Sequence, residues 1–185
     1  MQNVRYGQLF RYIHFSLIIF GITSYLTGEI ADEYEPYGFW IHSILGFAVC
    51  FALLFRLKTG FSDIKELSFT NWFNQFRDYK QTVIEDIKLL FKFNLPDRDI
   101  HAGIAGVVQA FGLFLFAWMS VTGVLLFIVK YDVINMNQDL IEELHELGEY
   151  LIAVFLLIHI GAVISHFLKG DNLLIRINPF VKDKE

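Results

Sequence analysis

Four stretches of this chain are long, apolar and almost free of charge, and they decide what it can become: about Leu9–Thr27, Phe39–Leu57, Ile104–Val129 and Tyr150–Leu168. A helix rising ~1.5 Å per residue needs roughly 20 apolar residues to cross a ~30 Å hydrocarbon layer, and tilt or interfacial flanks cover a shortfall. The 185 residues are 55% hydrophobic and include 20 Phe, too apolar for an ordinary water-soluble domain. The expectation is an all-α fold, a four-helix transmembrane bundle, in a single domain over 1–185. The fourth helix starts ahead of its apolar run and is inside the bilayer by about residue 143. Asn137 offers a helix start, and Leu140, Ile141, Leu144, Leu147 and Leu151 follow at helical spacing. The first stretch lacks a small-x-small cleavage site and carries His14 within it, so it reads as a retained span rather than a signal peptide.

Basic residues set the orientation. Fourteen of the 15 Lys and Arg fall at the amino terminus, between the second and third stretches, or in the tail; the remaining one is Lys130. The positive-inside rule makes that side cytoplasmic, with both termini on it, in a multi-pass membrane protein. The opposite side carries Glu29, Asp32, Glu33, Glu35, Asp132, Asp139, Glu142, Glu143, Glu146 and Glu149. The formal net charge of −5 hides this division between an acidic outer and a basic inner face.

The inner connection, Lys58 to Ile100, is too long to be structureless. Trp72, Phe76, Tyr79, Val83, Ile87 and Leu90 recur at helical steps, predicting an amphipathic helix over about 71–92. Its apolar stripe suits either the headgroup layer or a cytoplasmic partner.

The chain has six histidines: His14, His42, His101, His145, His159 and His166. Ionisable groups are costly inside a bilayer and usually serve a function there. Alternating helix direction puts His42 and His145 at one depth, near the outer boundary, and His14 and His159 at another, in the inner half. The 14-residue interval from His145 to His159 returns to within ~40° of one helix face, displaced by ~21 Å. One face of the fourth helix can therefore serve two stacked sites. Two facing imidazoles at each level suit bis-histidine haem ligation, which leaves no open iron position for oxygen. Gly46, Gly148, Gly21, Gly161 and Thr122-Gly123 lie near these levels, where a porphyrin would need clearance; close helix packing is the other use of such residues.

Other metal chemistries fit less well. Glu142-Glu143-Leu144-His145 holds one Glu-x-x-His, but a di-iron bundle needs a second such motif and two further inward carboxylates. A non-redox metal transporter would combine His with carboxylate or thiolate inside the membrane, and the spans supply essentially neither. Cys50 is the sole cysteine, and without Cys-x-x-Cys-His no haem is attached covalently.

With the histidines placed, "RYIHF" in the first stretch, "IHSILG" in the second, "SVTG" in the third and "ELHELGEYLIAVFLLIHIGAVISH" in the fourth resemble the bacterial cytochrome b561 family. That family includes the membrane cytochrome b subunits of nickel-iron hydrogenase and formate dehydrogenase. The resemblance implies two haem b groups, with iron held by His42 and His145 at the outer level and by His14 and His159 at the inner one. It places Arg11 and Arg56 where they meet either inner haem propionates or lipid headgroups. It also implies electron exchange between membrane quinone and a redox partner. The segment "DIHAGIAG" keeps His101 but departs from the Gly-His-Asn-Pro-like turn of relatives.

The expected function is electron transfer across the membrane between a quinone/quinol pool and a separate protein, such as a c-type cytochrome or an iron–sulfur, hydrogenase-like subunit. The acidic outer face would steer that protein into place. A stand-alone quinone-coupled oxidoreductase is the alternative; in its superoxide oxidase form the negative face would repel the substrate. His166, seven residues beyond His159, is the candidate quinone-site residue, as a proton exchanger or hydrogen-bonding group, or else an interfacial side chain; His101 is a weaker candidate.

Overall fold

The computed structural model describes residues 6–74, 79–92, 94–96 and 102–181. Among these the chain is all helical: α1 (Gln8–Leu26), α2 (Gly28–Glu33), α3 (Tyr37–Gly60), α4 (Phe69–Asn74), α5 (Tyr79–Phe91), α6 (Gly103–Lys130), α7 (Gln138–Leu168) and α8 (Leu173–Ile177). Helices α1, α3, α6 and α7 are 19, 24, 28 and 31 residues long and apolar enough to cross a membrane. No more than 22% of the most apolar window of any of them is buried in the bundle. Residues such as Phe51 (74% exposed) and Leu157 (77%) therefore need lipid around them.

Local chemistry sets the helix ends. Asn137 caps α7, its side-chain oxygen accepting from the Leu140 amide at 3.2 Å, with Asp139 in the first turn complementing the helix dipole. The helix thus begins outside the apolar run, as the spacing predicts. At α6 the cap comes from another helix: Asp86 of α5 is fully buried and accepts from the Ile104 amide at 2.9 Å. Gly103 sits beside it with φ +56°, and a Cβ there would collide with the Asp86 carboxylate, so only glycine fits this junction.

One residue of the cytoplasmic helix departs from the amphipathic pattern. Asp86 falls among the polar positions of the helix expected over about 71–92, yet α5 buries it, because the amides at the start of α6 need an acceptor. Ile84, Ile87, Leu90 and Phe91 are exposed. Residues 75–78 of the expected helix, Phe76 among them, and also His101, lie outside the described residues.

Close packing joins α1 to α3, α3 to α6 and α6 to α7, while neither α1–α7 nor α3–α7 packs comparably among the described residues. The first and last described segments meet. The Tyr6 amide donates to the Arg176 carbonyl at 3.3 Å, and Arg11, 1% exposed, donates through Nη1 to the carbonyls of Asn178 (3.2 Å) and Val181 (3.1 Å). At the opposite end Lys130 pairs with Glu35 and lies 4.0 Å from the centre of the Phe39 ring.

Candidate haem sites

Both predicted histidine pairs come together, each across a helix pair that is not closely packed among the described residues. His14 of α1 faces His159 of α7, and His42 of α3 faces His145 of α7; in both cases the ring centres are 6.2 Å apart. The interplanar angles are 60° and 89°. A metal–imidazole bond of ~2.0 Å, with the nitrogen ~1.2 Å from its ring centre, puts two imidazoles on opposite sides of one metal at ~6.4 Å. The observed 6.2 Å spacing fits a metal held between the rings.

The outer rings are fixed by hydrogen bonds. His42 Nδ1 lies 3.1 Å from the Ser24 carbonyl and 3.4 Å from Thr27 Oγ1. A carbonyl only accepts, so Nδ1 carries the proton and Nε2 the lone pair. His145 Nδ1 lies 2.8 Å from Thr122 Oγ1, whose own proton goes to the Trp118 carbonyl at 2.9 Å. With its proton on that carbonyl, Thr122 Oγ1 is free to accept from His145 Nδ1–H, which gives His145 the same tautomer as His42. Trp118 Nε1 donates to the Leu144 carbonyl at 2.9 Å and closes the ring of contacts between α6 and α7. An Nδ1–H bonded to an acceptor, with Nε2 left as donor atom, is the arrangement of a metal-ligating histidine.

The inner pair is held differently. His14 stacks on Phe10 at 6.0 Å and 8°, and His159 on Phe155 at 5.4 Å and 13°. Among the described residues neither ring nitrogen has a hydrogen-bond partner, so each offers its lone pair without competition. No cluster of three or more His, Cys, Asp or Glu that could hold a metal occurs among the described residues. What the histidines offer is two paired sites.

The glycines divide between the two uses. A Cβ at Gly148 would strike the Met119 sulfur and the Trp118 ring, and one at Gly21 would lie 2.9 Å from Phe116. These two bring helices together and admit Phe116 between the two histidine levels, rather than giving clearance to a cofactor. Gly123 abuts His145, and Gly46 has only Ser24 Oγ nearby, at 3.9 Å. Gly161 faces open space.

A profile of the prokaryotic cytochrome b561 family matches residues 5–178, which include all four long helices and all six histidines. The chain belongs to this family. Cytochrome b561 membership implies b-type haem in a multi-pass membrane protein, and the paired imidazoles suit it. Comparison with curated proteins and with solved structures gave no match.

The remaining predicted site residues gather at the end holding both termini. Arg56, 5% exposed, donates to the Leu67 carbonyl at 3.0 Å and lies over the rings of Phe69 (5.1 Å) and Trp72 (5.8 Å). Like Arg11 it ties chain segments together. His166 Nδ1 lies 3.4 Å from Asp171 Oδ2, and Asp171 Oδ1 accepts from Arg176 Nη2 at 2.6 Å. Burial pushes the Tyr6 phenol above its usual ionisation range; Arg176 opposes the rise, and Asp171 and Glu66 add to it. The sequence places Thr122 near the His145 level only as a small residue giving clearance, and points to no role for Ser24 or Asp171. The one available signal was a Thr at the depth of His145 on a mostly apolar helix.

Proposed function

We propose that this protein is a dihaem b-type cytochrome that carries electrons across the bacterial cytoplasmic membrane between a quinone/quinol pool and a separate redox protein. The observation that carries the proposal is the repeated 6.2 Å spacing of two imidazole pairs on helices that are not closely packed among the described residues. His42 and His145 would hold one haem b through their Nε2 atoms, and His14 and His159 the other. Each haem would supply a one-electron carrier there.

The chain's own residues do the rest. Ser24 and Thr122 lock the outer ligands in the tautomer that offers Nε2, and Phe10 and Phe155 orient the inner ones by stacking. Arg11 and Arg56 put buried positive charge at the inner end and favour haem propionates there by charge, since their bonds described above already serve the fold. His166, held at Nδ1 by Asp171, presents Nε2 to a quinone oxygen and moves the proton that accompanies electron transfer. The positive-inside distribution makes the end with the termini cytoplasmic.

At the other end Glu29, Glu33, Glu35, Glu142, Glu143 and Glu146 are exposed. They suit a docking protein with a basic patch, such as a c-type cytochrome or an iron–sulfur subunit. Native purification tests the whole reading. It expects two b-type haems per chain and a co-purifying redox protein; a preparation without b-type absorption ends it. Replacing Glu142, Glu143, Glu146 and Glu149 by Gln should slow electron exchange with the partner at low salt, and an unchanged rate removes the docking argument.

A further inference from the structure

The two histidine pairs differ in what stands behind them. With iron on Nε2, both outer ligands would give their Nδ1 proton to an acceptor, His42 to the Ser24 carbonyl at 3.1 Å and His145 to Thr122 Oγ1 at 2.8 Å. The inner ligands have only ring stacks, on Phe10 and Phe155. We propose that Thr122 and the Ser24 carbonyl hold the haem at His42 and His145 at a lower reduction potential than the haem at His14 and His159. Electrons then run downhill from the acidic end toward the end holding the termini. This rests on the dihaem reading above.

The argument is one of ligand basicity. A hydrogen bond accepted from Nδ1–H pushes electron density onto Nε2, and a stronger donor favours the oxidised, more positive iron. Fixed charge acts in the same sense. Arg11 is 1% exposed and stands one turn from His14, with Arg56 also buried at that end, so poorly screened positive charge favours the reduced iron there. Glu146 follows His145 directly and Glu149 lies one turn on, so negative charge favours the oxidised iron at the other level. The balance is one electron per passage. The redox protein is oxidised, and over two passages quinone gains two electrons and two protons.

A redox titration of the purified holoprotein, followed in the haem α-band, tests this with Thr122→Val and Thr122→Ser. Thr122 touches His145 and no other histidine, so whichever titrating component moves in the Val variant belongs to the His42/His145 site. The expected result is that the lower-potential component moves upward in Thr122→Val, the other stays, and Thr122→Ser restores the original value. Movement of the higher-potential component, or of neither, overturns the proposal. If Thr122→Val does not accumulate, the wild-type protein decides by potential-resolved EPR. The component titrating lower must then carry the more anisotropic low-spin signal, because its ligand planes are the more nearly perpendicular, at 89° against 60°. The reverse assignment overturns it. Absence of two b-type components would instead refute the dihaem reading itself.

Discussion

The imidazole planes of His42 and His145 cross at 89°, with their centres 6.2 Å apart. Perpendicular axial ligands leave two iron d orbitals nearly degenerate, and a low-spin ferric centre then gives a strongly anisotropic EPR signal. The 60° crossing of His14 and His159 splits those orbitals further. Two low-spin signals of unequal anisotropy are expected from the oxidised protein, and two identical rhombic signals would contradict this geometry.

Ligand deletions should remove haems one at a time, since the pairs share no residue and Phe116 stands between their levels. His42→Ala and His145→Ala should each leave one haem per chain, and so should His14→Ala and His159→Ala. Pyridine haemochrome content against protein reads the stoichiometry. Loss of both haems from every variant would show one cooperative site rather than two.

The His166–Asp171 contact predicts a separable defect in quinone chemistry. Asp171→Asn keeps a hydrogen-bonding group but removes the carboxylate that holds Nδ1, and His166→Gln removes the exchangeable imidazole. Both should slow haem reduction by a quinol about a hundredfold or more, within the range of a lost general acid–base group. Reduction by dithionite, which bypasses that site, should be unchanged. Equal slowing with both reductants would locate the defect in the haems.

Asp86 is a buried carboxylate whose observed bond caps another helix. Asp86→Ala should cost about 0.5–2 kcal/mol, the usual range for a lost cap. Faster hydrogen exchange should appear in α5 and the first turn of α6, with the haem spectrum retained. Unchanged exchange in α5 would show that the carboxylate does not hold it to the bundle.

Arg11 is expected to matter for the tail. Arg11→Met removes two charge-assisted bonds to the carbonyls of Asn178 and Val181, each worth about 1.5–3 kcal/mol. Limited proteolysis should then cut the segment after α8 first. A protected tail would argue that the Tyr6–Arg176 contact holds it alone.

The amino-acid sequence by itself determined the four spans, the sidedness of charge and the two depths of histidine. Apolar length, basic-residue placement and helical rise are all properties read along one dimension. It also marked the start of α7, because Asn137 caps its own helix. Only the tertiary structure decided which helices touch, and that the histidine pairs bridge those that do not. It alone supplied the proton acceptors behind His42 and His145, which come from residues 18 and 23 positions away on other helices. It alone buried Asp86 as a cap and chose close packing for Gly21 and Gly148, for the same reason. A side chain's partner across a bundle depends on the azimuth and separation of packed helices, and periodicity within one helix does not contain either.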